Sequence, residues 1–290
     1  MKIKHIANIE GGQDGAIFGT TLFRFDSRGN CKVYDISALD VNVGEPVDFQ
    51  PFARFTLDRA DVLTPHSNSV VFGNEYYEAG DEFPLLYTNI YNTYRREENK
   101  MCGVCPVYRI ERTEGGFTST LVQIIEIGFT DSRELWRSSG EVADIRPYGN
   151  FVVDTVGSKY WAYVMRDGEK STRYFRFSLP KLSDGKTDAF FGIPRVVLTE
   201  ADIECYFDTP YHNFIQGGVF HNGKVYEVEG FGKDERSAIR VIDTEKKCEE
   251  LYFDFYEAGY PVEPEFIDFY LGKCIYIDAH GNVFNLEFEN

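Results

Sequence analysis

The sequence predicts an all-β fold in which five four-stranded antiparallel sheets close into a ring. Three observations carry this. Aromatic residues make up 16% of the 290 residues, and aromatics favour strands. One polar-then-apolar segment recurs five times along the chain. A single N-terminal strand is left over where the last repeat runs one strand short. The charge excludes some functions: 30 Lys+Arg against 47 Asp+Glu give a formal charge of −17. Such a surface repels phosphate backbones and anionic headgroups, so neither nucleic acid nor a membrane is an expected partner. A hydrophobic share of 43% is that of a folded chain.

From the start, Met1-Lys2-Ile3-Lys4-His5 opens a strand-like alternation and lacks the apolar core of a signal peptide. No run approaches the length of a membrane span, and the expectation is a cytoplasmic protein. Cysteines at 31, 102, 105, 205, 248 and 274 are too sparse for a disulfide framework and are expected as thiols.

The repeats begin at residue 14. Asp14-Gly-Ala-Ile-Phe-Gly19 aligns without a gap over Asn68-Ser-Val-Val-Phe-Gly73. The same shape returns at Asn150-Phe-Val-Val-Asp154, Gln216-Gly-Gly-Val-Phe220 and Glu265-Phe-Ile-Asp-Phe269. Each unit continues into a second strand: 21–25, 84–91, 159–165, 224–229 and 273–277. A third follows at 31–36, 105–110, 173–177, 238–242 and 282–286. More polar fourth strands, as edge strands should be, are expected around 47–57, 119–127, 195–206 and 247–255. The fifth unit ends after three strands, and residues 2–9 supply one more.

Closure of a last sheet by the N-terminal strand is a property of β-propellers, and the repeat pattern resembles that superfamily over essentially the whole chain. The resemblance implies one domain over 1–290. Its blades are expected at about 11–58, 66–128, 147–207, 213–256 and 262–290, the last completed by 1–9. It identifies no narrower family: with two Trp there is no tryptophan-rich repeat, no Gly-His to Trp-Asp repeat and no sialidase box. The uneven spacing of the openings localises insertions at 92–104, 130–146 and 180–194, since a loop can stretch and a strand period cannot.

The first strand of a propeller blade lines the central channel, which places Asp14, Asn68, Asn150, Gln216 and Glu265 near one mouth. Unpaired polar groups are costly to bury, so these five must face water, one another or a ligand. Nearby in sequence are His66, Arg146, Tyr148, His212 and Glu263. The turns between second and third strands open on the same face and carry cations, among them Arg166, Arg236 and His280. A small polar ligand, anionic or carbohydrate, is the expected occupant, with His66, Asn68, Arg146, Tyr148, Asn150, His212, Gln216, Glu263, Arg166, Arg236 and His280 as binding candidates. Alternatively, Asp14 and Glu265 form the carboxylate pair of a glycoside hydrolase, a chemistry that needs one acid protonated and one ionised. A third reading is a protein-interaction scaffold whose docking patch is Tyr76, Tyr77, Tyr256 and Tyr260. No cofactor or metal site is expected: Cys102-Gly-Val-Cys105 has no second pair to complete it, and no phosphate-binding glycine loop is present. Gly217-Gly218 inside a strand points to close packing at the axis.

Overall fold

The computed structural model of the chain describes residues 1–41, 45–63, 65–90, 104–127, 145–146 (backbone only), 150–166, 170–212, 214–231 and 233–288. Its strands fall into five separate sheets. Blade one is Gly15–Phe18, Thr21–Phe25, Asn30–Asp35 and Ala53–Thr56. Blade two begins with Val70–Phe72, Leu86–Thr88, Val104–Thr113 and Gly116–Ile127. Blade three is Phe151–Asp154, Lys159–Arg166, Ser171–Ser178 and Cys205–Pro210, with Ile145–Arg146 pairing further along its second strand. Blade four is Ile215–His221, Lys224–Glu229, Ala238–Asp243 and Cys248–Asp254. Blade five is Pro264–Tyr270, Lys273–Asp278 and Asn282–Glu287, completed by Lys2–Asn8 antiparallel to the third strand. The chain is a five-bladed β-propeller.

Two assignments differ from the sequence reading. The stretch expected as the fourth strand of unit three divides: Cys205–Pro210 takes that place, whereas Pro194–Leu198 crosses to blade two and pairs parallel with Gly116–Ile127. A hairpin with Lys186–Thr187 extends that sheet to six strands. The stretch expected as the fourth strand of unit one divides in the same way. Ala53–Thr56 stays in blade one, and Val47–Asp48 pairs parallel with the N-terminal strand of blade five. In both cases the connection between third and fourth strands reaches back to the outer edge of the preceding blade. Of the three insertions, 180–194 belongs to this excursion, and most of 92–104 and 130–146 lies outside the described residues.

The aromatic excess fills the spaces between blades. Phe23 stands within 5.2–5.5 Å of Phe72, Phe83 and Phe117, joining blade one to blade two. Phe255 stacks on Tyr276 at 4.7 Å between blades four and five. Edge-to-face and offset ring pairs of this kind add to the area they bury. Three of the six cysteines, Cys31, Cys105 and Cys274, are buried free thiols in these layers. No described helix is long and apolar enough to cross a membrane.

Ile6 of the closing strand is fully buried between blades five and one. Ile6→Ala should therefore destabilise the fold by about 2–5 kcal/mol, read as a lower midpoint in urea unfolding with an unchanged slope.

Candidate functional site

The five opening residues meet around the axis. Asp14, Asn68 and Asn150 are fully buried and Glu265 is 1% exposed; Gln216 is half-buried. Each stands where a strand enters the packed centre, so its polar atoms must find partners inside the ring. On one side they find each other. The Val70 N–H donates to Asp14 Oδ2 at 2.9 Å, tying blade two to blade one. The Asn68 N–H donates to Asn89 Oδ1 at 3.1 Å, and Asn89 Nδ2 donates to Asn68 Oδ1 and to Asn150 Oδ1. Asn68 and Asn150 both donate to the Ile215 carbonyl, at 3.4 and 3.5 Å, so three blades share one acceptor.

At the junction of blades four, five and one the side chains are arranged differently. Gln13 Nε2 donates to Glu265 Oε1, and Gln216 Nε2 donates to Glu263 Oε1, both at 2.7 Å. Gln216 and Glu265 each occupy a β-bulge: Ile215 and Gly217 pair with the consecutive Glu229 and Val228, and Pro264 and Phe266 with Asp278 and Ile277. A bulge turns its extra residue away from the regular alternation. Behind them Arg24, fully buried, donates through Nη2 to the carbonyls of Gly12 at 2.9 Å and Asp278 at 3.3 Å, and its guanidinium lies 5.6 Å from the Phe266 ring centroid. Gly217 lets the strands approach: a Cβ there would stand 2.9 Å from the Glu265 carbonyl oxygen and 3.2 Å from Asp14 Oδ1.

Several buried polar atoms at this junction have no hydrogen-bond partner: Glu265 Oε2, Asp14 Oδ1, Gln13 Oε1, and Arg24 Nε and Nη1. The electrostatics follow. Burial pushes Asp14 and Glu265 well above the usual carboxylate range, and the charge of Glu263 adds to the shift of Glu265 while Arg24 opposes it. Burial also raises Glu263. Near the other mouth, burial raises Asp268 to about 6, although its Oδ2 accepts the Ile17 N–H at 2.8 Å. Carboxyl groups held in this state can donate as well as accept a hydrogen bond.

The remaining candidates are dispersed. His66 is half-buried on the segment leading to Asn68. The side chain of Arg146 and all of Tyr148 lie outside the described residues. Arg166 is buried, with Nη1 3.3 Å from Asp208. Arg236 pairs with Asp254 at 2.7 Å and Glu257 at 2.6 Å. His280 is exposed on a turn in which Asp278 Oδ1 accepts the N–H groups of His280 and Asn282; Asp26 binds Arg28 and Asn30 in the same way in blade one.

His212 lies in the layer between blades three and four and is fully buried. Its Nδ1 is 2.9 Å from Glu227 Oε2, its Nε2 is 3.4 Å from Glu249 Oε2, and Tyr174 Oη donates to Glu227 Oε1 at 2.7 Å. Arg240 pairs with Glu229 and Glu249 in the same network. Sequence reasoning did not find Arg24, Asn89 or Glu227. For Arg24 the signal is a lone cation inside Thr-Leu-Phe-Arg-Phe, a strand buried at every position.

No protein-family model matches the chain, and no curated protein matches it in sequence. Among solved structures, the glutaminyl cyclase of Myxococcus xanthus is similar with a TM-score of 0.49 and 10% identity, covering 98% of this chain and 93% of that one. A luciferin-regenerating enzyme gives 0.45 and 9%, covering 98% and 94%. BamB from Moraxella catarrhalis gives 0.35 and 10%, covering 94% and 71%. The five-sheet ring itself, rather than any of these likenesses, carries the propeller assignment.

The His212 network generates a pH prediction. Burial alone would lower the imidazole, but the Glu227 and Glu249 carboxylates outweigh it and hold His212 above its usual value of 6.5. A folded pKa raised above the unfolded one stabilises the fold fully below the unfolded value, and that contribution is lost as pH rises through the folded value. Thermal midpoints of the wild type should therefore fall relative to His212→Gln as pH rises from about 6 through the raised pKa. Parallel curves for the two proteins would contradict this.

Proposed function

We propose that this propeller binds a small polar ligand at the channel mouth, against Glu263 and Glu265 of blade five and the glutamines that hold them. The set of orphaned buried atoms supports the reading. Glu265 Oε2, Asp14 Oδ1, Gln13 Oε1 and two Arg24 nitrogens are enclosed and unpartnered, and an unsatisfied buried group costs about 1–3 kcal/mol. A cluster of them, with donors and acceptors together, suits a molecule that presents both. The half-buried Gln216 and Glu263 stand outside it, as groups that meet a ligand on entry would.

The other two readings have less support. As a glycoside hydrolase pair, Asp14 and Glu265 would both have to reach substrate, but Asp14 is fully buried and holds the Val70 N–H of the next blade. As a docking patch, Tyr76 and Tyr77 lie in the connection between the first and second strands of blade two, while Tyr256 and Tyr260 lie between blades four and five. By the strand directions those are opposite mouths. An anionic ligand is also disfavoured, since Arg166 and Arg236 are already matched to acids.

The test is retention. The protein, incubated with pooled water-soluble metabolites, washed and denatured, should release a small molecule detectable by mass spectrometry. Gln216→Trp, which fills the mouth with an indole, should abolish that retention while shifting the thermal midpoint by no more than a few degrees. Equal retention by both proteins, or by neither, would refute the reading.

A further inference from the structure

We infer that the ligand of this mouth carries a cationic nitrogen, ammonium or guanidinium, seated against the free carboxylate oxygens of Glu263 and Glu265. The inference rests on the mouth being a ligand site and adds the class of ligand.

Its basis is how this chain treats its acids elsewhere. Partly buried carboxylates on the blades are matched to fixed cations: Asp81 to Arg109 at 2.6 Å, Glu204 to Lys159 at 2.5 Å and Arg176 at 2.8 Å, Glu229 to Arg240 at 3.0 Å, Asp254 to Arg236 at 2.7 Å. Asp14, Asp268 and Asp278 have no ion-pair partner among the described residues but accept backbone N–H groups; Glu263 and Glu265 have neither. Each has one oxygen held by a glutamine amide, from Gln216 and Gln13, which orients the carboxylate but cannot neutralise it. Neither takes part in an ion pair among the described residues. The charge of Glu263 adds to the upward shift that burial gives Glu265.

The one buried cation behind them does not fill the gap. Arg24 is aimed at the backbone carbonyls of Gly12 and Asp278, beyond ion-pair distance of Glu265. Glu265 Oε2 is thus left enclosed and unpartnered, on a residue that is 1% exposed. Asp14 Oδ1 and Gln13 Oε1 are orphaned beside it. The orphaned oxygens of Glu265 and Gln13, beside two amide-oriented carboxyl groups, make a receptor for N–H donors carrying positive charge. A cation seated there draws Glu265 to its ionised form, and hydrogen bonds between ionised partners are roughly twice as strong as neutral ones. A neutral polyol would satisfy the acceptors without compensating the charge of Glu263.

Agmatine, with an ammonium at one end and a guanidinium at the other, is the probe, and glucose the neutral comparison. Calorimetric titration of the full chain should show agmatine binding at one site per chain and no saturable binding of glucose. Glu263→Gln should weaken agmatine at least tenfold, Glu263→Asp only a few-fold, and Gln216→Trp should abolish binding. The last control separates the mouth from general attraction to an acidic surface. Saturable glucose binding that Gln216→Trp removes, with none for agmatine, would overturn the cationic class and leave the mouth as a site. Agmatine binding unchanged by Glu263→Gln would also overturn the class. Binding of neither compound would overturn the cationic class, while retention of a metabolite that Gln216→Trp removes would still support the mouth as a site.

Discussion

No strand ladder joins the first strand of one blade to the first strand of the next among the described residues. Besides a direct backbone bond from the Asp14 N–H to the Ser67 carbonyl at 3.0 Å, the centre of a ring closed in this way is joined by side chains that reach across to a neighbour's backbone. Asp14 holds the Val70 N–H, Asp268 holds the Ile17 N–H, and Asn68 and Asn150 donate to the Ile215 carbonyl. Near the other mouth Asn74 donates to the Thr155 carbonyl. Burying such groups is costly unless they are paired, and pairing them across a blade boundary makes that cost conditional on the whole ring being assembled. The polar centre thereby selects one arrangement of blades, while the aromatic and aliphatic layers between blades supply the apolar burial.

The same constraint explains why chemistry collects at one place. Blades two and three pair axial groups through asparagines short enough to meet directly. In blades four and five the openers Gln216 and Glu265 are longer, and each sits in a bulge. At their junction with blade one, Glu265 Oε2, Asp14 Oδ1, Gln13 Oε1 and two Arg24 nitrogens are left without partners. His212 shows the opposite outcome: an equally buried titratable group, with carboxylates on both ring nitrogens and Tyr174 on the same glutamate, serves to join blades three and four.

The perimeter is reinforced by another device. Twice, the connection between the third and fourth strands of a blade lays a parallel strand on the outer edge of the blade before it, once from blade three onto blade two and once from blade one onto blade five. The second instance covers the N-terminal strand, the one element of its sheet that is not continuous in sequence with the others. An outer edge so covered is also withdrawn from pairing with another chain.

The sequence by itself determined the number of repeats, the alternation within their strands, the closing role of Lys2–Asn8 and the positions of the five openers. All of these are local patterns, set by side-chain period and by turns. It could not determine that Pro194–Leu198 and Val47–Asp48 leave their own blades, because parallel pairing at an outer edge depends on where a loop lies in space. Nor could it find Arg24, Asn89 or Glu227, since polar residues in or next to second strands read from sequence as exposed. Tertiary structure alone decided which polar residues pair and which are left open. Partners such as Gln13 with Glu265 stand 252 residues apart, and only the closed ring brings them within reach of one another.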